Sequence, residues 1–182
     1  LRKAMAGYYQ RRFGVKLDAD SEIVATLGSK EGFANLAQAI TAPGDVVLSP
    51  NPSYPIHTFG FIMAGGAIRS IEAHSPEQYL SGIGRATRHS VPPPIAMVTC
   101  YPANPTAQTA DIDFYKDAVA FAKKHDMLVL SDMAYSEIYF DGDPPPSVLQ
   151  VEGAKDVAVE VNTLSKTYSM AGFRVGFALG NE

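Results

Sequence analysis

Residues 95–106 read Ile95-Ala96-Met97-Val98-Thr99-Cys100-Tyr101-Pro102-Ala103-Asn104-Pro105-Thr106, an apolar, β-branched run that stops at a proline-stiffened polar loop. The pattern recurs along the chain. Met127-Leu128-Val129-Leu130 leads into Ser131-Asp132-Met133-Ala134-Tyr135, and the run from Val157 to Val161 leads into Asn162-Thr163-Leu164-Ser165-Lys166. Val46-Val47-Leu48 and Ala67-Ile68-Arg69-Ser70-Ile71 are further strand candidates, and Val175-Gly176-Phe177-Ala178-Leu179-Gly180 reads as a last one. Segments of helical period lie between them. Lys30 to Ile40 places Phe33, Leu36, Ala37 and Ile40 on one face before the Pro43-Gly44 breaker; Ile56 to Ala64 is stopped by Gly65-Gly66; Asp113 to Lys124 ends in cations suited to the helix dipole. Strands spaced by helices predict right-handed βαβ units, hence an α/β fold of three layers, α/β/α, around a mostly parallel sheet. Ligands bind such sheets at the carboxyl ends of the strands. An amide (Asn104), a carboxylate with a phenol (Asp132, Tyr135) and hydroxyls with an amine (Thr163, Ser165, Lys166) are therefore expected on one rim.

Composition narrows the function classes. The chain has 182 residues, 46% of them hydrophobic, enough for a sizeable core. Nineteen acidic against 15 basic residues leave a net charge of -4, and no Lys/Arg run offers a track for phosphates, so no nucleic-acid partner is expected. No apolar stretch reaches the roughly 20 residues that span a bilayer, so no membrane is expected either. The single cysteine, Cys100, fits a reducing, cytoplasmic setting. Pro92-Pro93-Pro94 and Pro144-Pro145-Pro146 punctuate loops, with no repeat or linker dividing residues 1–182. The chain opens inside Leu1-Arg2-Lys3-Ala4-Met5-Ala6-Gly7-Tyr8-Tyr9, a helical pattern without a cap, and closes just after a strand. A fragment of a longer protein is expected.

The rim residues, together with Gly28-Ser29-Lys30-Glu31-Gly32, Asn51-Pro52-Ser53-Tyr54-Pro55 and the stretch Ser165-Lys166-Thr167-Tyr168-Ser169-Met170-Ala171-Gly172-Phe173-Arg174-Val175-Gly176, resemble in type and order the class I/II aminotransferases. These are pyridoxal-phosphate enzymes of fold type I. Thr163 departs from the commonest pattern, which has Gly or Ser there. The resemblance implies that residues 1–182 are the cofactor-binding large domain, without the smaller domain. It also implies pyridoxal 5'-phosphate as cofactor, an amino acid and a 2-oxo acid as substrates, a homodimer, and cis bonds at Asn51-Pro52 and Asn104-Pro105. The nearest likeness is to alanine/glutamate–pyruvate transaminases and diaminopimelate-type relatives.

By that resemblance Lys166 is the Schiff-base amine and proton carrier. Asp132 pairs with the pyridinium nitrogen, and Tyr135, on the same face of a helical turn, donates to the ring's phenolic oxygen with Asn104 beside it. Ser29 and Lys30 at a helix start, with Thr163, Ser165 and Arg174, hold the phosphate, and Tyr54 stacks on the ring. Bland readings stand beside these: a solvated lysine, a capping aspartate, core tyrosines, an ordinary helix start. A pyridoxal-phosphate-dependent C–S lyase or ring-forming lyase on the same fold would carry the same residues. A nucleotide-binding module built on Gly28-Ser29-Lys30 would leave Asp132, Tyr135 and Lys166 unexplained and lacks a phosphate-loop pattern. His57, His74, His89 and His125 show neither metal-ligand spacing nor a paired acid, so surface or helix-end positions and no metal are expected. Cys100 reads as a small buried hydrophobe.

Overall fold

The computed structural model describes residues 1–181. Its elements run α1 (Arg2–Phe13), β1 (Ile23–Thr26), α2 (Ser29–Ile40), β2 (Val46–Asn51), α3 (Ile56–Met63), β3 (Ala67–Glu72), α4 (Pro76–Arg88), β4 (Pro94–Thr99), α5 (Ile112–His125), β5 (Leu128–Asp132), β6 (Ala158–Thr163), α6 (Leu164–Thr167) and β7 (Gly176–Leu179). They form a seven-stranded sheet of order β1-β7-β6-β5-β4-β2-β3. Strands β3, β2, β4, β5 and β6 are parallel, and β7 runs antiparallel to both β6 and β1. The expected three-layer α/β architecture is present.

Alternation along the strands sets the layers. Met97, Val129, Ala158 and Phe177 join one buried cluster with Tyr9 of α1, Tyr79 and Ile83 of α4 and Tyr115 of α5. Ala96, Val98, Leu130 and Val161, one residue out of phase, join the other with Phe33 of α2 and Phe61 of α3. Burying one such aromatic or aliphatic side chain is worth about 1.5–3 kcal/mol, so both faces contribute to holding the sheet.

Three elements lack a counterpart in the sequence expectations: the one-turn helix α6, strand β1 and helix α4. In β1 only Ile23 is buried and the next two residues are exposed, too short a pattern to read as a strand; pairing with β7 creates it. Helix α4 does carry signals: Ser75 caps the Gln78 N–H, Pro76 sits in the first turn, and Tyr79, Ile83 and Ala86 are buried at helical spacing. Gly82 and Gly84 interrupt its pattern. The bonds Asn51-Pro52 and Asn104-Pro105 are cis, as are Val91-Pro92 and Tyr101-Pro102. Among the described residues no helix is long and apolar enough to cross a membrane.

Candidate active site

Parallel pairing brings the ends of β2, β4, β5 and β6 to one edge of the sheet. Since β1 runs in the same sense as β6 and β7 runs oppositely, the β1–α2 turn and the segment entering β7 reach that edge too. A cleft of about 260 Å³ lies there. Ser29, Lys30, Tyr54, Asn104, Asp132, Tyr135, Thr163, Ser165, Lys166 and Arg174 all line it, with Cys100, Ala134 and Ala171. Residues scattered from 29 to 174 thus share one cavity because the strand order folds their loops together.

One part of the cleft gathers an uncapped helix start, a guanidinium and two hydroxyls. Helix α2 starts at Ser29, one residue earlier than expected, after Gly28 at φ 91° and without any side-chain cap, so its first N–H groups lack an internal acceptor from such a cap. Arg174 lies against this turn, donating from Nη2 to the Leu27 carbonyl (3.2 Å) and from Nη1 to the Ala171 carbonyl (3.0 Å). A Cβ on Gly28 would strike the Arg174 guanidinium, and one on Gly176 would strike the Gly28–Ser29 backbone. Glycine at both positions allows the cationic cradle. Thr163 Oγ1 accepts from the Ser165 N–H (3.2 Å) and stands 3.0 Å from Ser165 Oγ, which fixes both hydroxyls at the exit of β6. Lys30 Nζ hovers 5.8 Å from the Tyr54 ring centroid.

Another part carries the acid and the phenol. Asp132 closes β5 with Oδ1 accepting from the Ala134 N–H (3.2 Å) and Oδ2 2.8 Å from His57 Nε2. Asn104 Nδ2 donates to the Tyr135 hydroxyl (3.2 Å), leaving that hydroxyl's own proton free for an acceptor in the cleft. Burial raises the Tyr135 pKa and the Asn104 hydrogen bond only partly reverses this, so the phenol keeps its proton at neutral pH. Lys166 Nζ sits 6.0 Å from the Tyr135 ring centroid. Residues 134–137 form a turn, not the helical turn expected from the sequence.

His57 requires a correction. The sequence suggested a surface histidine without a paired acid; the structure buries it completely and pairs it with Asp132. Only the tertiary fold joins two residues 75 apart in the chain. One signal was available: Ile56, His57, Gly60 and Phe61 form the buried face of α3, so His57 falls on an apolar stripe.

Similarity to known proteins agrees with this geometry. The chain is 67% identical over 182 residues to a putative aminotransferase AatC of Rhizobium meliloti, covering 100% of this chain and 45% of that protein. It is 48% identical to the glutamate-pyruvate aminotransferase AlaC of Escherichia coli, covering 100% of this chain and 44% of the relative. A substrate-bound BacF structure from Bacillus subtilis superposes with a TM-score of 0.93 at 36% identity, over 100% of this chain and 46% of that one. The chain therefore spans slightly under half the length of the relatives it matches. The family model described as aminotransferase class I and II, a family generally dependent on pyridoxal phosphate, matches residues 1–182, and with the fold and the cleft in agreement the chain belongs to that family.

Proposed function

We propose that residues 1–182 form the pyridoxal-phosphate-binding large domain of an enzyme that transfers an amino group between an L-amino acid and a 2-oxo acid, with glutamate and pyruvate as the favoured pair. The observation that carries this reading is that an amine, a carboxylate and a cationic anion cradle line one cleft. The relative named glutamate-pyruvate aminotransferase supports the choice of substrates.

The donor set fits the cofactor. Gly28, uncapped α2 and Arg174 suit a phosphate dianion, while Tyr54 offers an aromatic face for the ring. When bound, pyridoxal phosphate supplies an electron sink for the carbanion left as the substrate Cα loses its proton. Asp132, oriented by His57 Nε2 and the Ala134 N–H, has carboxylate lone pairs left to hold a ring nitrogen in its protonated form. Tyr135, whose hydroxyl oxygen accepts from Asn104, keeps its own O–H free and would donate a hydrogen bond to the phenolic oxygen. Lys166 would hold the cofactor through its Nζ, and the same amine would accept and return the proton of the substrate Cα.

The exposed apolar face of α3, with Phe59, Ile62 and Met63, supports a homodimer. Free Cys100 is in keeping with a cytoplasmic location. Adding pyridoxal phosphate to the full chain and reducing with borohydride tests the reading: the label is expected on Lys166, and label elsewhere, or none, overturns it. A half-reaction screen with glutamate and alanine then tests the reaction; release of ammonia or a thiol in place of oxo acid would contradict amino transfer.

A further inference from the structure

At the wall of the cleft three different metal-binding side chains meet: His57, Cys100 and Asp132 each present a ligand atom, and these atoms all lie within 4.8 Å of one another. Their meeting follows from the sheet. Thr99 pairs with Ser131 across β4 and β5, so the next residues, Cys100 and Asp132, leave adjacent strands side by side. Both are in phase with Val98 and Leu130, which face α2 and α3, and α3 brings down His57 in its first turn. All three are buried, at 0%, 6% and 6% exposure for His57, Cys100 and Asp132.

The geometry points to a buried site for a thiophilic divalent cation of zinc's class, filled through His57, Cys100 and Asp132 when the cofactor is absent. Imidazole, thiolate and carboxylate are the ligand types of open zinc sites, and the cleft, which both Cys100 and Asp132 line, can deliver water to a fourth position. Bonds of about 2.0–2.3 Å put the donors of a tetrahedral zinc roughly 3.5 Å apart, so Cys100 Sγ must close on the other two by up to about an ångström while His57 Nε2 and Asp132 Oδ2, 2.8 Å apart, open slightly to admit the ion.

Charge and hydrogen bonding both favour this closure. Cys100 is a free, buried thiol, and to ligate a cation it must give up its proton. A dication replaces that proton, which passes to solvent, and two anions around a dication leave no net buried charge. His57 Nδ1 has no hydrogen-bond partner. Moving the imidazole proton from Nε2 to Nδ1, which frees Nε2 for a metal, therefore orphans no additional atom. Asp132 is shared with the ring nitrogen of the cofactor, so cation and cofactor exclude each other; this clause alone rests on the function proposed above.

Cobalt(II) titration of the full chain, purified without added cofactor, tests the site. The expected result is one equivalent bound, with visible bands of tetrahedral cobalt and a near-ultraviolet thiolate-to-cobalt charge-transfer band. C100S should abolish the charge-transfer band, and H57Q should weaken binding at least about tenfold, the low end of the loss from disturbing a metal-site residue. Zinc should displace the cobalt. Cobalt binding without a thiolate band, or binding unchanged in C100S and H57Q, overturns the site. Adding pyridoxal phosphate to the cobalt-loaded chain is expected to bleach the spectrum. A spectrum that persists while Lys166 becomes labelled leaves the cation site standing and overturns the shared use of Asp132. Failure to label cation-free chain counts against the cofactor reading alone.

Discussion

Strands β5 and β6 carry two polar clusters, one on each side of the sheet, from almost the same residues. On the α1 side, Glu160 is fully buried and takes four donors. Tyr9 (2.8 Å) and Ser147 (2.6 Å) reach Oε1, and Ser131 (3.0 Å) and the Val148 N–H (3.2 Å) reach Oε2. Asn162 adds a bond to the Tyr9 hydroxyl (3.2 Å). On the α3 side, Asp132 follows Ser131 directly and Thr163 follows Asn162, yet their cluster opens on the cleft and leaves His57 Nδ1 without a partner. A carboxylate whose lone pairs are all taken by the fold contributes stability. A carboxylate with lone pairs to spare can act on a ligand.

The difference can be broken at the cleft first. K166A should reduce turnover by about 10⁴-fold, since it removes the proton carrier proposed above. Its unfolding free energy should stay within about 0.5 kcal/mol of the parent, because the side chain is exposed. Steady-state kinetics beside urea titration would show both. D132A should lower kcat by about 10²–10⁴-fold while the chain still retains cofactor through the separate phosphate cradle. Equal loss of kcat and of cofactor affinity, read by equilibrium dialysis, would erase the division of labour within the cleft.

On the opposite face the effects should be reversed in kind. E160A strands several buried donors and should cost about 3 kcal/mol in urea unfolding, with kcat per folded molecule changed less than tenfold. A fall in kcat as large as that of D132A would show that the two clusters are not separable. The smallest effect is a pH slope. Burial raises the Glu160 pKa above the ordinary carboxylate value, and the bonds from Ser147, Tyr9, Ser131 and the Val148 N–H pull it back only in part. The folded chain thus holds this proton to higher pH than the unfolded chain. That contribution is complete below the unfolded carboxylate pKa and is lost as pH rises through the raised value. E160Q should remove this part of the slope in urea midpoints collected from pH 4 upward; an unchanged slope would mean that another group produces it.

How much of this was legible in advance depends on the range of the interactions. The runs ending at Thr99, Leu130 and Val161 announce strands because alternation and β-branching are local, and the exits Asn104, Asp132 and Lys166 follow from the rule for parallel sheets. Strand β1 was not legible because its existence is a pairing with β7. Helix α4 was masked by Gly82 and Gly84 despite a sound cap at Ser75. His57 was partly legible, as a polar residue on the apolar stripe of α3, but its partner was not.

Sequence alone determined the periodicities, the glycines that admit a cradle at Gly28 and Gly176, and the chemical types waiting at each strand exit. Those depend on residues near one another in the chain, where propensity and spacing act. Tertiary structure alone decided that β4 lies beside β5, so that Cys100 and Asp132 emerge together under His57, and that Glu160 is sealed while Asp132 faces the cleft. Strand order fixes those outcomes, and it is set by how helices on both faces bury the sheet, a cooperative property that no single segment encodes.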